Sequence, residues 1–249
     1  MLTPQRCTRR FASAQCLDGY ARAMIAWLAP DDPPERFPPL ERALLDPPGL
    51  LAAGGDLSSE RLLAAYRRGI FPWYSPGQPV LWWSPDPRAI FEFHQVHISH
   101  SLARTLRRQR FQITFDRAFA GVIRACATVP RRGDDTWISP EFIEAYEVMH
   151  RSGWAHSCES WEGDRLVGGV YGVALGGFFA GESMFHHTGD ASKVALASLL
   201  GHLHRQGFSL FDTQMLTSTT RALGAVEIPR RDYLQRLAFA LTQTCKFQE

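Results

Sequence analysis

Three apolar runs in the C-terminal half of the chain limit most strongly what it can fold into. The runs have the length of strands and cover residues 155–161, 166–174 and 178–185. Short turns with glycine separate them at 162–164 and 175–177, and runs joined in this way predict an antiparallel meander. A helical pattern over 190–206 and a last apolar strand over 208–212 follow. Strands, then a helix, then a strand predict an α+β sheet domain.

The residues before the meander have a different character. Proline, glycine and aromatic residues are frequent up to about residue 90, around one short helix that Asp56 or Ser58 can cap and Gly69 ends. Helical patterns over 98–110 and 118–127 then lead towards the meander. We therefore expect a poorly ordered N-terminal extension over 1–36, a small helical and loop-rich domain over 37–90, and the α+β domain over 91–249.

Charge and cysteine usage exclude several classes of protein. The 27 Lys and Arg residues against 25 Asp and Glu give a net charge of +2, which excludes a histone-like polycation. No apolar run in the sequence approaches the ~20 residues that span a bilayer. The five cysteines are scattered without a CxxC pair, which predicts neither a disulfide framework nor a zinc site. We expect a cytoplasmic protein that does not bind a membrane.

Motifs of the common catalytic classes are missing from the sequence, which contains no GxGxxG, HExxH or GxSxG. The stretch 49–56 has the glycine spacing of a phosphate loop, but Asp56 stands where Ser or Thr is required and would repel a triphosphate. His94, His97 and His100 recur every third residue without nearby carboxylates, which favours solvated or packed histidines over a metal site. We expect no metal and no cofactor.

Three polar residues at strand ends are the candidates for chemistry. Glu182 follows the apolar residues 178–180, and Asp212 and Gln214 end the last predicted strand. Because side chains alternate along a strand, Asp212 and Gln214 are expected on one side, about 7 Å apart. Water-facing strand ends are the simpler interpretation, but three such residues on neighbouring strands favour a site for a cation or an amine.

Aromatic residues and arginines suggest a surface for nucleic acid. Tyr66, Trp73, Trp82, Trp83 and Trp137 lie in Pro- and Gly-rich segments, and we interpret them as exposed platforms for stacking on a base rather than as core. Between residues 99 and 132 the sequence contains eight arginines and a single acidic residue, Asp116. Arginine without compensating acid is suited to phosphate. The expected phosphate contacts are Arg104, Arg107, Arg108, Arg110, Arg131, Arg132, Arg230 and Arg231.

Seven stretches of the sequence match motifs of one family. They are 49–58 (GLLAAGGDLS), 66–73 (YRRGIFPW), 81–88 (LWWSPDPR), 136–138 (TWI), 181–185 (GESMF), 191–193 (ASK) and 227–234 (EIPRRDYL). In this order they resemble the leucyl/phenylalanyl-tRNA–protein transferases. The resemblance implies a GNAT-like catalytic domain over 91–249 and transfer of Leu or Phe, and less well Met, from aminoacyl-tRNA. The acceptor it implies is a protein N-terminal Arg or Lys, marked thereby for N-end-rule proteolysis, and the enzyme is expected to be a monomer.

The resemblance also implies roles for matching residues. It places catalysis on Asp212 and Gln214 and the acceptor peptide on Glu182, and it makes tRNA the nucleic acid that the arginines meet. Around the tRNA 3′ end and the amino-acid pocket it places Tyr66, Trp73, Trp137, Phe179, Leu199 and Leu203. Whether Asp212 or Gln214 accepts a proton stays open.

Two other functions were weighed. A CoA-dependent N-acetyltransferase of GNAT type needs a Q/R-x-x-G-x-G/A cradle, but the nearest stretches, Arg165–Val170 and Arg221–Val226, both end in valine. A non-catalytic tRNA-binding protein is the second alternative, and it predicts no need for Asp212 and Gln214.

Overall fold

A computed structural model describes residues 25–128 and 136–248 of the chain. Two compact units make up the described residues. Of the described residues, the first unit contains 25–86 and 136–145. The second unit contains 87–128 and 146–248. Helices and strands are numbered below in chain order.

The first unit contains a small sheet and one helix. The strands are β1 (Ala26–Leu28), β2 (Leu50–Gly54), β3 (Phe71–Pro72) and β4 (Leu81–Trp83), in the order β1-β2-β4-β3. Helix α1 (Ser59–Arg67) begins where the sequence predicts, because the Ser58 side chain accepts a hydrogen bond from the backbone N–H of Arg61. The turn after α1 contains Gly69 with a positive φ of 70°, a conformation that glycine adopts without steric cost.

Residues 25–36 belong to this unit. The composition predicts that they are part of a poorly ordered extension, and the structure differs from that prediction. Strand β1 pairs in parallel with β2. The buried Arg61 donates hydrogen bonds to the carbonyls of Pro30 and Asp32 and pairs with Asp56. Burial raises the pKa of Asp56, but hydrogen bonds from Ser58 and Arg61 outweigh burial and lower it. Residues 1–24, where the rest of that prediction falls, lie outside the described residues.

The second unit is built on a mixed sheet. Its described strands are β5 (Arg88–Phe91), β6 (Gln112–Phe115), β7 (Ala155–Glu162), β8 (Arg165–Leu175), β9 (Phe178–His186), β10 (Leu210–Gln214) and β11 (Val226–Ile228). They lie in the order β11-β5-β10-β9-β8-β7-β6. Strands β7, β8 and β9 form the predicted antiparallel meander, and β10 joins β9 in parallel. The predicted α+β fold class is therefore confirmed.

Two helices pack on opposite faces of this sheet. The helices described after β5 are α2 (His100–Arg107), α3 (Phe119–Thr128), α4 (Pro140–Arg151), α5 (Ala191–Arg205), α6 (Ser218–Ala222) and α7 (Arg230–Leu241). The part of α4 up to Ala145 belongs to the first unit. A Cβ on Gly168 would lie 2.6 Å from Ala191 of α5, and one on Gly169 would lie 3.0 Å from Val122 of α3. Because neighbouring residues of a strand face opposite ways, α5 and α3 pack on opposite faces.

Among the helices within residues 25–128 and 136–248, none is long and apolar enough to cross a membrane.

Candidate functional site

The site forms where the parallel strands β9 and β10 lie side by side. Asp212 pairs with Ala180 across the two strands, so Gln214, the last residue of β10, comes level with Glu182, which lies inside β9 and not at its end. There the Gln214 side-chain amide donates a hydrogen bond of 2.7 Å from Nε2 to Oε1 of Glu182. Two of the three predicted polar residues are thus in direct contact, and Glu182 is partly exposed.

The arrangement of Asp212 and Gln214 differs from the predicted one. The pairing of β10 with β5 is irregular between these residues, and Gln214 has a left-handed backbone with φ of 62°. This breaks the two-residue alternation on which the expected 7 Å spacing on one side depended. The Asp212 carboxylate instead accepts a 2.7 Å hydrogen bond at Oδ1 from the backbone N–H of Gln214. Asp212 therefore supports the backbone of Gln214.

Asp212 is fully buried and forms an ion pair. Arg88 donates to its Oδ1 from Nε at 2.9 Å and to its Oδ2 from Nη2 at 2.7 Å. The hydroxyl of Tyr233 donates to Oδ2 at 2.9 Å. Burial alone would lower the pKa of Arg88, but the charge of Asp212 outweighs it and raises that pKa. Burial raises the pKa of Tyr233 well above its ordinary value, so its phenol stays a hydrogen-bond donor.

Sequence reasoning missed three residues of this cluster. Arg88 and Tyr233 come from β5 and α7, and both lie inside stretches that carry the family resemblance, which was the available signal. Tyr146 of α4 donates from its hydroxyl to Oε2 of Glu182 at 3.4 Å. In the sequence Tyr146 looks like a core residue, and in the structure it is buried on α4 together with Met149, so nothing in the sequence indicated this contact.

The predicted aromatic platforms divide into core and partly exposed residues. Tyr66, Trp82 and Trp83 are buried, so their interpretation as exposed platforms is wrong. The indole N–H of Trp82 donates to the Gly54 carbonyl, which explains how this polar group is satisfied inside the unit. Trp73 and Trp137 are partly exposed. All five lie in the first unit, whereas Glu182, Asp212 and Gln214 lie in the second.

The residues assigned to the amino-acid pocket are part of the main core of the second unit. Phe179, Leu199 and Leu203 are each 0% exposed. The ring of Phe179 lies 5.3 Å from that of Phe211 and 6.0 Å from that of Phe247. The three side chains are thus part of a packed apolar core, to which β9, the strand that carries Glu182, contributes Phe179 and α5 contributes Leu199 and Leu203.

The arginine-rich surface is partly neutralised by acids from distant segments. Arg104, Arg107 and Arg108 are exposed on or just after α2. Arg110 forms a 2.9 Å ion pair with Glu162, and Arg124 pairs with Glu147, so the excess counted along the sequence is smaller in space. Arg230 is half-buried and Arg231 exposed at the start of α7. Arg131 and Arg132 lie outside the described residues.

The three histidines that recur every third residue, His94, His97 and His100, are exposed. Within 25–128 and 136–248, no group of three His, Cys, Asp or Glu side chains is placed to hold a metal ion.

The mixed sheet, with its parallel β9–β10 pair and the polar cluster where Gln214 meets Glu182, makes the second unit an α+β sheet domain with a candidate catalytic site. A model of the "Leucyl/phenylalanyl-tRNA protein transferase" family matches residues 90–238, and the model of that family's N-terminal domain matches 55–86. The chain belongs to this family.

Curated relatives agree with this assignment. A leucyl/phenylalanyl-tRNA–protein transferase of Aromatoleum aromaticum is 58% identical over 86% of this chain and 90% of its own length. One of Ectopseudomonas mendocina is 53% identical over 86% of this chain and 95% of its own. Among solved structures, a GCN5-related N-acetyltransferase-like protein of Streptococcus suis aligns at TM-score 0.33 and 13% identity, over 65% of this chain and 60% of that one. That likeness carries no argument here.

Proposed function

We propose that this protein transfers Leu or Phe, and less well Met, from aminoacyl-tRNA to the α-amino group of an N-terminal Arg or Lys. Family membership supports the reaction, and the contact between Gln214 and Glu182 is the observation that carries its mechanism. The modified protein would then be marked for N-end-rule proteolysis. We place the reaction in the cytoplasm and assign it to the monomer.

The reaction needs positioning more than activation. The amine lone pair attacks the ester carbonyl carbon, a C–N bond forms and the C–O bond to the terminal ribose breaks. The ammonium proton ends on the ribose oxygen, so the products are an amide and free tRNA. Holding amine and carbonyl together can supply ~7–11 kcal/mol. An α-amino group with a pKa of about 8 is partly neutral at pH 7, so a strong base is not required.

Gln214 and Glu182 bind different parts of the acceptor peptide: Gln214 its α-amine and Glu182 its cationic side chain. Because the Gln214 NH₂ group donates to Glu182, its amide oxygen is the half that can accept a hydrogen bond from the attacking amine. Glu182 supplies negative charge for the cationic side chain of the acceptor. Asp212 is 0% exposed and acts behind Gln214 rather than on the substrate.

The remaining predicted site residues are assigned to the donor, the aminoacyl-tRNA. Partly exposed Trp73 and Trp137 suit stacking on the 3′ end of the tRNA, with Tyr66 supporting them from inside the first unit. The Leu or Phe side chain is assigned to Phe179, Leu199 and Leu203. Because all three are 0% exposed, the donor side chain reaches them only when this packed cluster opens, and an apolar pocket of that kind discriminates a methyl group by ~1–3 kcal/mol.

The proposal is tested by transfer of radiolabelled Leu or Phe from charged tRNA to peptides that begin with Arg or with Ala. We expect label on the Arg peptide alone, and acetyl-CoA in place of charged tRNA should give no product. Label on neither peptide, with charged tRNA bound, would favour the non-catalytic tRNA-binding alternative. Acetylation from acetyl-CoA would favour the N-acetyltransferase.

Charge reversal on the surface near α2 tests the tRNA contact. The double variant Arg107→Glu, Arg108→Glu is expected to weaken binding and to reduce the slope of log K against log salt by about 1 for each lost phosphate contact. The matched control is Arg151→Glu with Arg221→Glu, the same change of charge at two exposed arginines that are not among the expected phosphate contacts. Binding titrations between low and moderate salt give both slopes. Equal slopes for the two double variants would show that Arg107 and Arg108 do not meet the tRNA.

A further inference from the structure

We infer that Arg88 and Tyr233 are positioning residues for the transfer step: through Asp212 they fix the backbone of Gln214 and thereby the direction of its side-chain amide. The inference rests on the proposed function. It assigns to Asp212 the work of a rigid hydrogen-bond acceptor and not that of a base.

The hydrogen bonds to Asp212 account for its whole accepting capacity. An ionised carboxylate has about four lone-pair sites. Four donors occupy the Asp212 carboxylate: Arg88 Nε and the Gln214 backbone N–H at Oδ1, and Arg88 Nη2 and the Tyr233 hydroxyl at Oδ2. Because the side chain is also 0% exposed, it can receive a substrate proton only by giving up one of these bonds.

The backbone of Gln214 needs this support. Its φ of 62° lies in the left-handed region, which residues other than glycine rarely adopt. The bond from its own N–H to Asp212 holds it there, and from this backbone the side chain reaches Glu182 on the neighbouring strand at 2.7 Å. Strained backbone of this kind persists where the surrounding structure fixes it, and it is frequent at functional sites.

Arg88 and Tyr233 are held against each other as well as against Asp212. The guanidinium carbon of Arg88 lies 4.6 Å from the centre of the Tyr233 ring, within the range of a cation–π contact. Nη2 of Arg88 also lies 3.4 Å from the Tyr233 hydroxyl. Both partners are buried on strand β5 and helix α7, so the carboxylate between them has little freedom to rotate.

A charge-neutral double variant separates positioning from proton transfer. Arg88→Gln alone leaves a buried carboxylate without its cation, and we expect kcat to fall at least tenfold and the melting temperature to drop. Adding D212N removes the second charge but keeps an amide oxygen that can accept from the Gln214 N–H. The amide that Arg88→Gln introduces can still donate to that oxygen, so the hold on residue 212 is kept without either charge. We therefore expect the double variant to regain most of the melting temperature and at least tenfold in kcat over the single variant.

The opposite result would overturn the inference. If the double variant folds and binds charged tRNA but stays as slow as Arg88→Gln, Asp212 takes part in the chemistry as a charged group. The wild-type protein in the same assay keeps the two hypotheses apart: absence of transfer by the wild type contradicts the proposed function, whereas transfer by the wild type with no recovery in the double variant contradicts this inference.

Tyr233→Phe provides a milder test that preserves the fold. It removes the hydroxyl with its bonds to Asp212 and Arg88 but keeps the ring. We expect kcat to fall about fivefold with KM for the peptide and affinity for tRNA unchanged. The matched control is Thr114→Val, which removes a hydroxyl bond to the equally buried Glu159 on the same sheet. Both variants are assayed well below their melting temperatures. A wild-type kcat in Tyr233→Phe would mean that its hydroxyl serves stability alone.

Discussion

Replacing Gln214 by alanine is expected to lower kcat/KM for transfer about 100-fold, with affinity for charged tRNA unchanged. The substitution removes the amide oxygen that we propose as acceptor for the attacking amine and the amide N–H that donates to Glu182 at 2.7 Å. Loss of alignment at a reacting centre costs on the order of 100-fold even when substrates still bind. The backbone bond from residue 214 to Asp212 does not depend on the side chain, so the fold should persist.

Thr213→Ala on the same strand is the control for this prediction. The Thr213 hydroxyl donates to the carbonyl of Met215 and not to Asp212 or Glu182, so its loss should change kcat/KM less than threefold. Single-turnover transfer with saturating charged tRNA measures the chemical step directly, and filter binding measures tRNA affinity. Equal rates for the Gln214 and Thr213 variants would remove the Gln214 amide from the mechanism.

The parts of the fold that could be predicted are those set by local patterns. The predicted runs 155–161, 166–174 and 178–185 correspond to β7, β8 and β9 within one or two residues, because alternation and glycine turns act over a few residues. The cap at Ser58 was predictable for the same reason. Glu182, Asp212 and Gln214 could be singled out since each is a polar residue that follows apolar strand residues. The prediction that Glu182 ends its strand is wrong, because β9 continues to His186.

The parts that could not be predicted depend on contacts between distant segments. Arg88 reaches Asp212 across 124 residues of sequence, and the order that puts β5 beside β10 follows from the packing of the whole sheet. The left-handed backbone of Gln214 could not be predicted either, because a two-residue strand pattern assumes extended backbone at every position. Charge compensation of Arg110 by Glu162 joins residues 52 apart, so a count along the chain overstated the basic surface.

Burial of aromatic residues was misjudged for a related reason. A Pro- and Gly-rich composition predicts irregular chain, but it does not say which side chains that chain encloses. Trp82 lies on β4 between β2 and β3 and stacks edge-on against Phe37 at 5.0 Å, so it is core despite its neighbours in sequence. The same composition around Trp73 leaves that ring partly exposed.

Glu182→Gln is expected to lower the preference for an N-terminal Arg over Ala about 10- to 100-fold. The substitution keeps the shape of the side chain and an oxygen for the bond from Gln214, so alignment of the amine is retained while the negative charge is lost. A hydrogen bond to a charged group contributes about 1.5–3 kcal/mol, which sets the size of the effect.

The measurement that checks this is the ratio of kcat/KM for Arg and Ala peptides in Glu182→Gln and in a control, Glu92→Gln. Glu92 pairs with Arg236 on the second unit, so the control removes the same charge without touching the cluster at β9 and β10. If discrimination falls equally in both variants, the acceptor responds to net charge and not to Glu182. If it falls in Glu182→Gln alone while kcat for the Arg peptide stays within about tenfold of wild type, charge recognition and amine alignment reside in different side chains. Gln214 would then direct the nucleophile, and Glu182 would select it.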